Sequence, residues 1–159
     1  MKGIHRSDLI RRAATLAVLS FLLSSCLMGE EEADSAEEAA AAAAEVESDN
    51  EVSGSVGDGP IVGATMRFLR NDGVELSQIN SDASAGYNIK IRTKGKYYPL
   101  IIEAKNGTDL VSNLAPDFDL FGAVLEPKKS SITNLSPFSA LAIELARAMN
   151  GGVTATNLS

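Results

Sequence analysis

Residues Val52 to Arg92 read VSGSVGDGPIVGATMRFLRNDGVELSQINSDASAGYNIKIR, and the fold class follows from their period. Val52 to Val56 is a short strand. Gly57-Asp58-Gly59-Pro60 is a turn, because glycine supplies positive φ and proline bars a ladder donor. Ile61 to Arg70 reads as the longest strand, with Val62, Ala64, Met66 and Phe68 on one apolar face. Thr65, Arg67 and Leu69 point the other way, which places Phe68 in a core and Arg67 in solvent. Gly63 is expected to let another backbone approach closely. Asn71-Asp72-Gly73 is a hairpin signal, and Val74 to Ile79 is the return strand. Asn80 to Gly86 is a polar loop. Tyr87, Ile89 and Ile91 then alternate with Asn88, Lys90 and Arg92. One face buried and one wet is the signature of an antiparallel sheet.

The same reading extends towards the C-terminus. Tyr98, Leu100, Ile102 and Ala104 form an inward set, and Pro99 suggests an edge strand or a bulge. Asn106 to Asp109 is a further turn, and Phe118 to Leu125 a further strand ended by Pro127-Lys128-Lys129. The period then changes. Ser136 is an N-cap with Pro137 at the first helical position. The helix is expected to run to about Asn150, where Gly151-Gly152 stops it. Phe138, Leu141, Leu145 and Ala148 or Met149 share one face of that helix, and this face is expected to cover the sandwich. Ile143, with Ala142 and Ala146, widens the apolar arc beyond what one small sandwich needs. Ile143 is therefore expected to stay free for self-association of the helix or for a longer helical region.

Two segments carry a family resemblance. Ser53-Gly54-x-Val56-x-Asp58-Gly59-Pro60-Ile61-x-Gly63-Ala64 resembles the opening of carboxypeptidase regulatory-like domains. Ser81-Asp82-Ala83-x-x-Gly86-Tyr87-x-Ile89 resembles their T-D-x-x-G-x-Y loop and strand. The resemblance covers about forty residues. It implies a transthyretin-like, Ig-like β-sandwich used as a non-catalytic module in secreted and surface proteins. Two departures stand out: Ser81 replaces the usual threonine, and one extra residue separates Asp82 from Gly86. Ile132 to Ala142, ITNLSPFSALA, is similar to a segment that follows such sandwiches in some bacterial surface proteins.

The N-terminus reads as delivery. Met1 to Arg12 is basic, and Ala13 to Leu23 is an apolar run too short to span a ~30 Å hydrocarbon core. Leu23-Ser24-Ser25-Cys26 resembles the lipobox of bacterial lipoproteins, whose cysteine thiolate takes the lipid and becomes the mature N-terminus. That resemblance implies a signal peptide over residues 1–25, lipidation at Cys26 with palmitate-type acyl chains, and membrane anchoring. Leu27 follows the cysteine where inner-membrane lipoproteins often carry aspartate, which implies outer-membrane sorting in the bacterial cell envelope. Residues 26–51 are an acidic tether. Ten acids and no Lys or Arg lie between Glu30 and Glu51. Helix is expected only around Ala36–Val46, on propensity, and a coil of this length would reach ~25–30 Å.

From Val52 onward ten acids face ten bases, so no basic surface invites nucleic acid. The domain division expected is residues 52–130 for the sandwich and 131–159 for the C-terminal helix segment. Catalytic candidates are scarce. The only histidine is His5 in the leader and the only cysteine is Cys26, which leaves no nucleophilic triad and no His/Cys zinc site in the mature chain. Asp117 and Asp119 are the nearest carboxylate pair, read as an exposed loop pair. Asp58, Asp72 and Asp82 would bind calcium only if their loops met at one end of the sandwich; turn chemistry is the simpler reading. Tyr97 and Tyr98 could offer a sugar-stacking platform. The expectation is a mainly β chain, not an enzyme, with no cofactor and no metal. It would display an antiparallel sandwich for a structural, adhesive or protein-interaction role, with a carbohydrate- or peptide-binding accessory role as the alternative.

Overall fold

The computed structural model describes residues 30–57 and 59–159. The expected signal peptide, Cys26 and Asp58 lie outside them. The chain divides into two units between Ala43 and Ala44. In the first, the described element is helix α1 (Glu30–Glu45). It extends six residues N-terminal of the expected helical stretch, carries no basic residue in its last turn and exposes the alanines at 39–43.

Among the described residues, the second unit contains nine strands and a C-terminal α-helix. They are β1 (Glu47–Ser55), β2 (Ile61–Val62), β3 (Thr65–Leu69), β4 (Glu75–Asn80), β5 (Gly86–Lys94), β6 (Leu100–Lys105), β7 (Thr108–Asp109), β8 (Leu120–Val124), β9 (Ser130–Ile132) and α2 (Pro137–Ala148). Two sheets form the layers. One has the order β5-β1-β9 and the other β4-β3-β6-β8, and β2 with β7 makes a small ribbon. All pairs are antiparallel except β1 with β9. The inner faces meet in one core. Val52, Val56, Tyr87, Ile91 and Leu135 come from the first layer, and Met66, Phe68, Leu100, Ile102, Leu120 and Val124 from the second. The Phe68 and Tyr87 rings touch across it with centroids 5.9 Å apart. The protein is thus mainly β, with two facing sheets and a C-terminal helix.

β6 shows why the second layer has two covers. Leu100, Ile102 and Ala104 face the main core as expected, yet Ile101 and Glu103 on the opposite face are buried too. Ile101 packs with Phe121 and Ile143 in a second, smaller core under α2. Glu103 is held by Arg67 at 2.8 Å and Lys105 at 3.0 Å. The helix begins as the sequence implies. Ser139 N–H donates to Ser136 Oγ at 3.2 Å and Ser136 N–H to Ser139 Oγ at 2.9 Å, a reciprocal capping box.

Five expectations need correction. The long strand breaks at Gly63, whose φ of 69° separates β2 from β3 and flips the phase, so Ile61 is buried in place of Val62. Nothing lies within 4 Å of a side chain built on Gly63; its backbone conformation, not a close approach, needs glycine there. Arg67 is an ion-pair hub, not a free surface residue. Strand β1 starts at Glu47, so residues 47–51 of the expected tether pair with β5. Residues 131–135, expected to lead into the helix segment, pair with β1 and belong to the sandwich. The fifth concerns α2. Ile143, expected to be free, is 2% exposed, whereas Phe138, Leu141 and Leu145 are 80%, 67% and 62% exposed. The inner face is the small-residue face, Ala140, Ile143 and Ala146, because the close seat on Ile101 and Phe121 admits only short side chains around one isoleucine.

Candidate interaction surfaces

The expected motif loop is built by its departures. Ser81 Oγ accepts from Ala64 N–H at 2.9 Å and donates to Ile61 O at 2.9 Å, so serine alone ties the loop to both sides of the Gly63 break. The extra residue is absorbed by Ala85, which adopts a φ of 59°. Asp82 Oδ1 accepts from Ser84 Oγ, Ser84 N–H and Gly86 N–H at 2.6, 2.8 and 2.9 Å. These donors, the Ser84 hydroxyl first, hold the Asp82 carboxyl below its ordinary pKa. Tyr87 donates its hydroxyl to Thr133 O, and burial pushes its pKa up.

The candidate binding residues separate. Asp72 sits in the β3–β4 hairpin and Asp82 at the other end of β4, which at ~3.3 Å per residue puts them ~20 Å apart. Each is committed to its own turn: Asp72 pairs with Arg70 and accepts from Val74 N–H. Asp119 pairs with Lys105 at 3.0 Å, and Asp117 is exposed. No group of three potential metal ligands occurs among the described residues. Tyr98 is buried, which pushes its phenol up to about 12. One face of Tyr97 is covered by the Arg70 guanidinium, 3.3 Å from the ring centroid.

The surface that does assemble was not singled out in the sequence. It lies at the end of the sandwich where β1 finishes, on the loop between β7 and β8. Asp109 organises that loop. Its carboxylate accepts from Val111 N–H at 2.9 Å and Ser112 Oγ at 2.8 Å. Its main chain bonds Leu114 O at 2.9 Å and Asn113 N–H at 2.8 Å. The Val111 amide, then the Ser112 hydroxyl, keep the Asp109 carboxyl below its usual range. With the backbone satisfied inward, the side chains turn out: Val111 and Leu114 are 75% and 68% exposed, and Leu110 and Phe118 about half exposed. A cleft of about 340 Å³ lies beside them, walled by Gly59, Ile61, Leu114 and Phe118. Four large apolar side chains within nine residues, without alternation and between turn residues, were the available signal.

The second exposed apolar surface is the outer stripe of α2, Phe138, Leu141 and Leu145, at spacings of three and four. Compared with known proteins, the sequence matches no protein-family model and no curated protein.

Proposed function

We propose that this chain is a lipid-anchored protein of the bacterial cell envelope. In this reading it displays a non-catalytic, carboxypeptidase regulatory-like (transthyretin-like) sandwich that binds a partner protein. Cys26 would carry the lipid at the outer membrane and the acidic tether would hold the sandwich off the bilayer. The observation that carries the binding role is the Asp109-braced loop with Leu110, Val111, Leu114 and Phe118 in solvent. Four exposed apolar side chains on one hydrogen-bonded loop cost solubility. Strand β1 enters beside the tether and ends at this tip ~30 Å further on, so the apolar side chains face away from the point of entry. The carbohydrate alternative rested on Tyr97, whose ring already stacks against Arg70. Self-association through the C-terminal helix stays part of the proposal, moved from Ile143 to Phe138, Leu141 and Leu145.

The test is retention from detergent-solubilised envelope by the immobilised full-length chain. Val111→Glu with Leu114→Glu should abolish retention of a partner that wild type holds reproducibly, at unchanged thermal unfolding. Equal retention by both would remove the tip from the account. Glycan binding lost on Tyr97→Ala would favour the carbohydrate alternative instead.

A further inference from the structure

The two layers have four outer edges, and three are protected. β5 carries Lys90, Arg92 and Lys94 along its length, β4 is polar and bulged opposite Phe68 and Leu69, and β9 is only three residues long. β8, Leu120–Val124, has no charge, proline or bulge. On its outer side Phe121 meets Ser136 in an isolated antiparallel bridge, and Ser139 Oγ donates to Phe121 O at 2.6 Å. The alternation of an antiparallel strand turns the main chain of Ala123 to that same outer side. Pairing should continue from Ser136 back through Asn134, but residues 130–135 bond to β1 instead. Thr133 N–H donates to Ser53 O and Leu135 N–H to Ser55 O, both at 2.8 Å. This turns the main chain of Ser130 and Ile132 away from β1 and towards the gap. Among the described residues, no hydrogen bond outside the β6 and β1 ladders reaches the main chain of Ala123, Leu125, Ser130 or Ile132. The gap is a cleft of about 420 Å³ with Val124 and Ser131 in its wall. The Ser131 hydroxyl is buried without a hydrogen-bond partner.

We propose that this seam accepts an extended peptide, which adds as a fifth strand along β8. The edge offers main-chain donors and acceptors at strand spacing, so it selects a backbone and not a particular side chain. The cleft takes small β-branched side chains at alternate positions. The surface is separate from the tip and does not depend on it.

The probe is a heptapeptide of alternating threonine and valine with lysine ends, added to the full-length chain and read by amide-resolved hydrogen exchange. The Ala123 amide should slow at least about tenfold while Gly122, already bonded to β6, does not change. The same peptide N-methylated at alternate residues should have no effect. Ala123→Pro leaves no amide to read at 123, so it is followed with a fluorescently labelled form of the same peptide, whose binding by anisotropy should be abolished; Ala123→Lys, the second variant should proline disturb the fold, should weaken that binding at least about tenfold. No protection at ~1 mM peptide, or equal protection by the methylated peptide, would overturn the proposal. Concentration-dependent protection of Ala123 without peptide would also overturn it, by assigning the edge to a second copy of the chain.

Discussion

Asp82 and Ser81 carry more of the loop between β4 and β5 than any apolar side chain near them. The Asp82 carboxyl has a folded pKa below its unfolded one, so its contribution is present above the ordinary aspartate value of about 3.9 and is lost as pH falls through the folded value. Asp82→Ala should therefore be less stable than wild type by a constant margin at neutral pH, and the margin should shrink only below about pH 4 in acid titrations of unfolding. A margin that changes between pH 5 and 8 would mean that another group is responsible. Phe68 is fully buried between the layers, and Phe68→Ala should cost about 3–5 kcal/mol in chemical denaturation. Arg67→Ala should cost less, but not nothing, because Glu103 then keeps only Lys105. The inward residues were legible because alternation reports burial directly. Arg67 was misread because alternation gives a side chain's direction and not its cross-strand partners, Glu75 on β4 and Glu103 on β6.

Among the elements, α2 was legible in its existence and its start but not in its orientation. Ser136, Pro137 and the terminal glycines are local signals, and the capping box forms from them. Which of two apolar faces packs is decided by the partner surface, which the helix sequence does not contain. Phe121, Ile101 and the Arg147 guanidinium, 4.4 Å from the Phe121 ring, leave room for Ala140, Ile143 and Ala146 only. Ile143→Glu should then cost at least about 3 kcal/mol by placing a carboxylate in an apolar site. Leu141→Glu should leave unfolding within about 0.5 kcal/mol of wild type. If the helix self-associates, sedimentation of the full-length chain should show concentration-dependent dimers that Leu141→Glu removes. A monomer at all concentrations would end that part of the proposal. The break at Gly63 and the parallel pairing of β9 were hidden for related reasons. A two-residue strand has no measurable period, and residues 130–135 show too little alternation to mark a strand.

At the scale of the whole molecule the charge distribution and the fold point the same way. The acids are concentrated before β1, in and around α1, while the second unit balances its charges in pairs across its surface. Glu45 marks the change: its carboxylate is shared between Lys96 and Lys94, which lower its pKa in that order. Two facing sheets make a scaffold, and the Asp109 loop is where that scaffold is apolar and open. The proposed role needs one thing more, that the chain be held at a membrane through Cys26. The direct measurement is the mass of the N-terminal peptide of the protein recovered from envelope membranes. The account predicts that the mature chain begins at Cys26 and that this residue carries a diacylglyceryl mass. A mature chain that begins elsewhere, or an unmodified Cys26, would contradict it.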